Sequence, residues 1–113
     1  MNEFITVSIK LKSLNINPLA IAKYFYDKGI YSHLFVQKLI YFAFIEGLKE
    51  NLLFFDEKFQ AWKHGPVLSS VFEGMTNEGV NLDNMFAQVS LTQEKKVLAL
   101  LEKTYQNYKD YYV

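Results

Sequence analysis

Residues 33–50 read HLFVQKLIYFAFIEGLKE. Ser32 stands just ahead as an N-cap, so a helix over 33–50 follows. Apolar side chains cover nearly its whole circumference as far as Ile45. Gln37, Lys38 and Glu46 are the main polar interruptions before the Lys49-Glu50-Asn51 end. A helix that is apolar all round is buried, which puts this one at the centre of the domain.

On its N-terminal side, Asn17 is an N-cap and Pro18 takes the first helical position. A shorter helix over 18–28 follows, and Gly29 supplies its left-handed stop. Before it, Ile5, Val7, Ile9 and Leu11 alternate with Thr6, Ser8, Lys10 and Lys12. Period two with β-branched residues predicts a strand over 4–11 with one wet face.

On the C-terminal side, Leu52–Phe55 and Lys58–Lys63 are aromatic-rich segments flanking Asp56-Glu57. They predict a hairpin with the acidic pair at its tip. Phe59, Ala61 and Lys63 then share one face, and Gln60, Trp62 and His64 the other. Gly65-Pro66 breaks the strand, and Pro66 opens a third helix over 67–78 that ends at Gly79. Residues 79–90 are rich in Asn, Gly and Asp and read as a loop. Ser90-Leu91-Thr92-Gln93 matches a capping box for a last helix over 92–110. The expected class is mainly α (α+β): one compact helical domain over 1–113. A central apolar helix is joined by a small antiparallel β element made of the N-terminal strand and the hairpin.

Half of the 113 residues are hydrophobic and 17% are aromatic, enough for a core and unlike a disordered chain. Twelve lysines balance twelve acids, and arginine is absent. Arginine supplies the bidentate fork for phosphates and guanine edges, so this composition argues against nucleic-acid binding. Cysteine is also absent, which removes disulfides, thiolate nucleophiles and cysteine zinc sites. The first residues, MNEFITVSIK, lack the basic start and long apolar run of a signal peptide. The longest apolar run, Leu39 to Ile45, is well short of the roughly 20 residues a bilayer helix needs. A soluble, cytoplasmic protein without membrane contact is expected.

Chemical constellations are scarce. His33 and His64 are the only histidines and lie on different elements, without H-x-x-x-H or H-E-x-x-H spacing. Neither a metal nor another cofactor is expected. Ser69 and Ser70 lie near His64, but no G-x-S-x-G elbow surrounds them. They read as helix residues facing solvent or bonding backbone. No glycine-rich phosphate cradle occurs, and Asp56-Glu57 at a turn lacks the cleft that raises one carboxyl pKa. No catalytic residue is assigned. Tyr105, Tyr108, Tyr111 and Tyr112 crowd the C-terminal end. They suit either an exposed contact face or a helix docked on its own core.

Two segments carry a resemblance. VQKLIYFA in the second helix and F-x-x-x-x-x-A-W-x-x-G-P-V at 55–67 resemble the paired motif of the Panacea domain. These are the SocA-like, phage-associated antitoxins of bacteria. Gln37, Lys38, Leu39, Tyr41 and Ala43 match the first half. Phe55, Ala61, Trp62, Gly65, Pro66 and Val67 match the second. LTQEKKVLALLEKTY is similar, more weakly, to a later helix of the family. The resemblance covers roughly residues 18–110. The family often continues past that helix, so the domain is expected to be short at its C-terminus. Its usual start does not include an ITVSIKLK strand.

The resemblance implies binding without turnover: an antitoxin-like module that neutralises a cognate toxin, expected to be encoded nearby, by direct contact. In some members the module also presents the toxin to a cellular protease. Homo-oligomerisation is left open. Gln37, Lys38, Tyr41, Trp62, Lys63 and His64 are the candidate partner-binding residues. Ala61, Gly65, Pro66 and Val67 form the structural motif around them. Gln37 is expected to bond the backbone of the corner, and Trp62 reads either as a contact or as a plug between hairpin and second helix. Two other readings stand beside this one. One is a small hydrolase or transferase using His64 at the Gly65-Pro66 corner. The other is a lysine-dependent DNA-binding autoregulator.

Overall fold

A computed structural model describes residues 10–77 and 79–111. In chain order the elements are β1 (Lys12–Ser13), α1 (Pro18–Asp27), α2 (His33–Lys49), β2 (Leu52–Leu53), β3 (Gln60–Trp62) and β4 (Gly65–Val67). Then come α3 (Ser69–Thr76), α4 (Leu82–Ala87), α5 (Lys95–Tyr108) and a short 3-10 turn at Lys109–Tyr111. The chain is mainly helical with small β pieces, as the sequence implies.

The first two helices start and stop where local chemistry directs. Asn17 Oδ1 accepts from Leu19 N at 2.9 Å, and Pro18 fills the first helical position of α1. Gly29 at φ +94 closes α1: its own N–H reaches Tyr26 O, and that of Ile30 reaches Phe25 O. That is a Schellman stop. Ser32 Oγ accepts from Phe35 N at 3.3 Å to open α2. Asn51, at φ 62, ends it.

α2 lies at the centre and packs against α1, α3, α5, β2 and β4. Val36, Leu39, Ile40 and Ala43 are fully buried along it. Phe25, Phe54, Phe86, Leu68 and Leu101 close around this stripe. Burial of each such side chain stabilises by about 1.5–3 kcal/mol. Gly47 lets the Phe54 ring lie against the helix; a Cβ there would sit 2.6 Å from Phe54 Cε1.

The β pieces differ from expectation in detail. Most of the predicted 4–11 strand lies outside the described residues; Lys10 and Leu11 are not strand, and the strand lies at 12–13. It pairs with β2 in parallel, not antiparallel, and forms a sheet separate from the hairpin. The hairpin itself lies one segment later than expected. β3 pairs with β4 antiparallel, with Trp62 opposite Gly65 and Lys63-His64 as the turn. Leu52–Phe55 is instead an extended core segment: Leu52, Phe54 and Phe55 are buried. Pro66 therefore belongs to a strand and does not open α3. It stands opposite Ala61, between the Gln60–Val67 and Trp62–Gly65 pairs, in a two-stranded piece. No ladder bond is needed from it there.

α3 is shorter than the expected 67–78 helix, and the segment read as a loop at 79–90 contains α4. Asn81 Oδ1 accepts from Asn84 N at its start. Lys23 Nζ donates to Phe86 O at 2.6 Å and Val89 O at 3.0 Å at its end. A cation on the last carbonyls of a helix offsets its dipole. Tyr26 donates to Asp83 as well. The capping box at 90–93 does not open α5. Its N-cap is Glu94, without a side-chain cap bond, and Thr92 Oγ1 accepts from Glu94 N at 3.4 Å.

α5 docks through Val97, Leu100, Leu101 and Thr104. Glu102 ties it to α1: Lys28 Nζ stands 2.7 Å away and Tyr24 Oη donates at 2.5 Å. Hydrogen bonds from Gln106, Lys28 and Tyr24 hold the Glu102 carboxyl down at about 2, from 4.5. No helix among the described residues is long and apolar enough to cross a membrane.

Two outcomes follow. Gly47→Ala forces the Phe54 ring aside and lowers stability by about 1–3 kcal/mol in urea unfolding. For Glu102, the native carboxyl titrates below the unfolded one, so its contribution is present above the unfolded value and fades as pH falls towards about 2. The side chain is 38% exposed, so the effect is small. The difference in Tm between wild type and Glu102→Gln is present near neutral pH and closes between about 4.5 and about 2.

Candidate functional site

The hairpin, its turn and the exit into α3 form a corner over 60–68, and almost every polar group around it is used. Gln37, on the second turn of α2, is 2% exposed. Its Nε2 donates to Leu68 O at 3.0 Å, and its Oε1 accepts from Leu68 N at 2.9 Å. One buried amide thus satisfies both backbone groups of the residue that leads into α3. Next to it, Lys38 Nζ donates to His64 O at 3.1 Å in the turn. Two adjacent α2 side chains therefore hold the turn and the exit of the hairpin.

Leu68 cannot cap α3 with its own side chain. Glu57 does so from a distance, accepting from Ser70 N at 3.1 Å and from Ser70 Oγ at 2.5 Å. An anion at a helix N-terminus is favoured by the unpaired N–H groups there. The Asp56-Glu57 pair is thus not a solvated hairpin tip, since Glu57 is engaged with α3. Ser69 Oγ accepts from Gln60 Nε2 at 2.7 Å, and Gln60 Oε1 accepts from Trp62 Nε1 at 2.9 Å. Both serines bond side chains of other elements. Gln60 and Trp62 do share a face, as their alternation predicts.

Trp62 is 42% exposed, so it is not a buried plug between hairpin and α2. Its ring packs against Phe72 of α3, with centroids 4.9 Å apart. It forms one wall of a notch of about 100 Å³. Leu34, Gln37 and Lys38 of α2 and Lys63, His64, Pro66 and Val67 of the hairpin complete the lining. Five of the six candidate contacts therefore meet in one place. Of these, Gln37 is buried and braces the corner; it does not offer itself to a partner. Gly65, at φ +119, supplies the left-handed residue after the turn. Ala61 lies exposed on β3.

Tyr41 is the candidate that lies elsewhere. Its ring stands edge-on to Phe59, 5.2 Å away, just before β3. It lines a larger cleft of about 310 Å³ between α2 and α5, together with Phe42, Ile45, Thr104 and Tyr108. Phe42 and Tyr108 stack there at 4.5 Å, so Tyr108 docks on the core, while Tyr111 is 72% exposed. Glu46 in that cleft bonds Lys49 at 3.0 Å and Lys103 at 3.7 Å. The hydrogen bond from Lys49, then the charges of both lysines, lower its pKa. Its lysines pair with Glu46, whereas Lys38 and Lys63 of the notch have no carboxylate within ion-pair distance among the described residues.

The His64 imidazole makes no hydrogen bond to Ser69, Ser70 or a carboxylate among the described residues. No group of His, Asp or Glu among them could hold a metal ion. Sequence reading missed Leu34, which is 46% exposed on the notch. Its place three and four residues before Gln37 and Lys38 puts it on their face of the helix. Glu57 and Gln60 were also missed, and only their distant partners reveal their roles. Comparison with protein-family models, with curated proteins and with solved structures finds no match.

Gln37→Leu keeps the volume but leaves the N–H of Leu68 buried without a partner and removes one of the two bonds to its C=O, which keeps Phe72 N. The loss is about 2–4 kcal/mol by thermal unfolding, more than for a typical surface change.

Proposed function

We propose that the chain is an antitoxin-like binding module that neutralises a cognate toxin in the cytoplasm by direct protein–protein contact, without turnover. The observation that carries this reading is the braced corner. Trp62, Leu34, Lys63 and His64 stand together at the surface on a backbone fixed by Gln37, Lys38, Gln60 and Glu57. Tryptophan on a rigid support is favoured as an interface anchor, because little freedom remains to be lost on binding. The notch, at about 100 Å³, is smaller than the 300–1,000 Å³ of typical small-molecule sites. It suits one side chain of a protein partner better than a substrate. The likeness of QKLIYFA and AWKHGPV to the Panacea motif points the same way, and delivery of the bound toxin to a cellular protease extends it.

The hydrolase or transferase reading needs His64 to act with a serine or carboxylate near the corner; Ser69 and Ser70 are bonded to other side chains, and the imidazole bonds no carboxylate among the described residues. The DNA-binding reading needs phosphate contacts from lysine alone.

Expression of the neighbouring open reading frame is expected to arrest growth. Co-expression with this chain is expected to restore growth and yield a co-purifying complex. Trp62→Ala should weaken rescue by lowering affinity by about tenfold or more while leaving the fold intact. Absence of toxicity and of any co-purifying partner would overturn the reading. Salt-sensitive retention on DNA without a protein partner would favour the autoregulator.

A further inference from the structure

The chain as a whole is neutral, yet every charged side chain that lines the notch is a lysine. Lys38, Lys63 and His64 stand on it, and no Asp or Glu is among its lining residues. Four other lysines, Lys28, Lys49, Lys96 and Lys103, pair with glutamates. Lys38 and Lys63 have no carboxylate within ion-pair distance among the described residues. Lys38 uses one N–H on His64 O at 3.1 Å, and an ammonium carries three. Its position is fixed by that bond, so a spare donor is held beside the notch. The walls between these charges are apolar: Leu34, Trp62, Pro66 and Val67. A void of about 100 Å³ is somewhat smaller than the roughly 150 Å³ cavity that admits benzene, so it has room for one aliphatic side chain.

We propose that the notch receives an acidic segment of the partner protein, anchored by a single aliphatic side chain. The aliphatic group enters between Leu34 and Trp62, and carboxylates beside it in the segment pair with Lys38 and Lys63. Charge complementarity selects the sign of the partner, and the size of the notch selects the anchor. Burial at the notch strengthens ion pairs that would be worth little on an open surface. Nucleic acid fits less well. A phosphate backbone would use the same lysines, but the apolar notch would be left empty, and the arginine fork that grips phosphate is missing. The assignment rests on the binding role proposed above and names the chemistry of the partner at that site.

Trp62 is the only tryptophan of the chain, so its fluorescence reports on the notch directly. The full chain is titrated with a blocked pentapeptide carrying leucine between two pairs of aspartates. Parallel titrations replace the aspartates by asparagines, replace the leucine by alanine, or use an oligothymidylate. The aspartate–leucine peptide is expected to shift the emission saturably, with each replacement weakening it by about tenfold. Lys63→Glu, at an exposed turn position, is expected to weaken that peptide by about tenfold with no change in thermal unfolding. Equal response to all peptides, or no response to any, overturns the proposal. An unchanged affinity in Lys63→Glu overturns the placement of the carboxylates. Tighter binding of oligothymidylate overturns it in favour of nucleic acid. Peptide binding without any toxic neighbouring gene would leave this proposal standing and remove the antitoxin role. Neutralisation that survives both Trp62→Ala and Lys63→Glu would do the reverse.

Discussion

The corner depends on one buried amide. Gln37 bonds both the N–H and the C=O of Leu68, at a point where the chain has left β4 and has not yet entered α3. The C=O also accepts from Phe72 N at 3.0 Å in the first turn of α3, but the N–H has no ladder or helical partner there, and it is removed from water with a fully buried Leu68. A buried N–H in that position must be satisfied by something, and the central helix supplies the acceptor. The direction of α3, the seat of Phe72 under Trp62 and the placing of the hairpin against α2 all follow from this clamp.

Rigidity at the corner is what links the fold to binding. Lys38 fixes the turn, Gln60 fixes the indole, and Glu57 fixes the start of α3. Gln60 and Glu57 are engaged in holding the corner, Lys38 keeps spare donors beyond its bond to the turn, and Leu34, Trp62, Lys63 and the His64 ring stand at the surface. An interface built this way loses little entropy on association. The same bonds tie up both serines nearest His64, so the reactive-looking residues of AWKHGPV serve architecture and surface.

Most local signals near the N-terminal helices were legible, whereas the capping box at 90–93 was not the start of α5. Asn17-Pro18, Gly29 and Ser32 act on neighbours within a few residues, and α1 and α2 follow closely from them. The all-round apolar character of 33–45 located the centre. Errors arose where the stabilising partner is distant. α3 is capped by Glu57 and Gln37, not by its own first residues. α4 stands in a segment of Asn, Gly and Asp because Lys23 and Tyr26, on α1, hold it. Leu52–Phe55 looked like half of a hairpin because an apolar run does not distinguish a strand from a core segment. Pro66 looked like a breaker because the position without a ladder bond is known only once the register is known. At the site, His64, Gln37, Lys38, Trp62 and Lys63 line one notch. Tyr41 did not join them, since its ring turns to Phe59 one helical turn further along.

The central claim concerns a single bond that hydrogen exchange can read. Among the described residues the Leu68 amide is in no ladder or helical bond and has only Gln37 Oε1 as acceptor. If the clamp holds the corner, this amide exchanges only through global unfolding and is as well protected as Leu39 and Ile40 in the middle of α2. Exchange at the rate of the exposed turn amides of Lys63 and His64 would contradict the account.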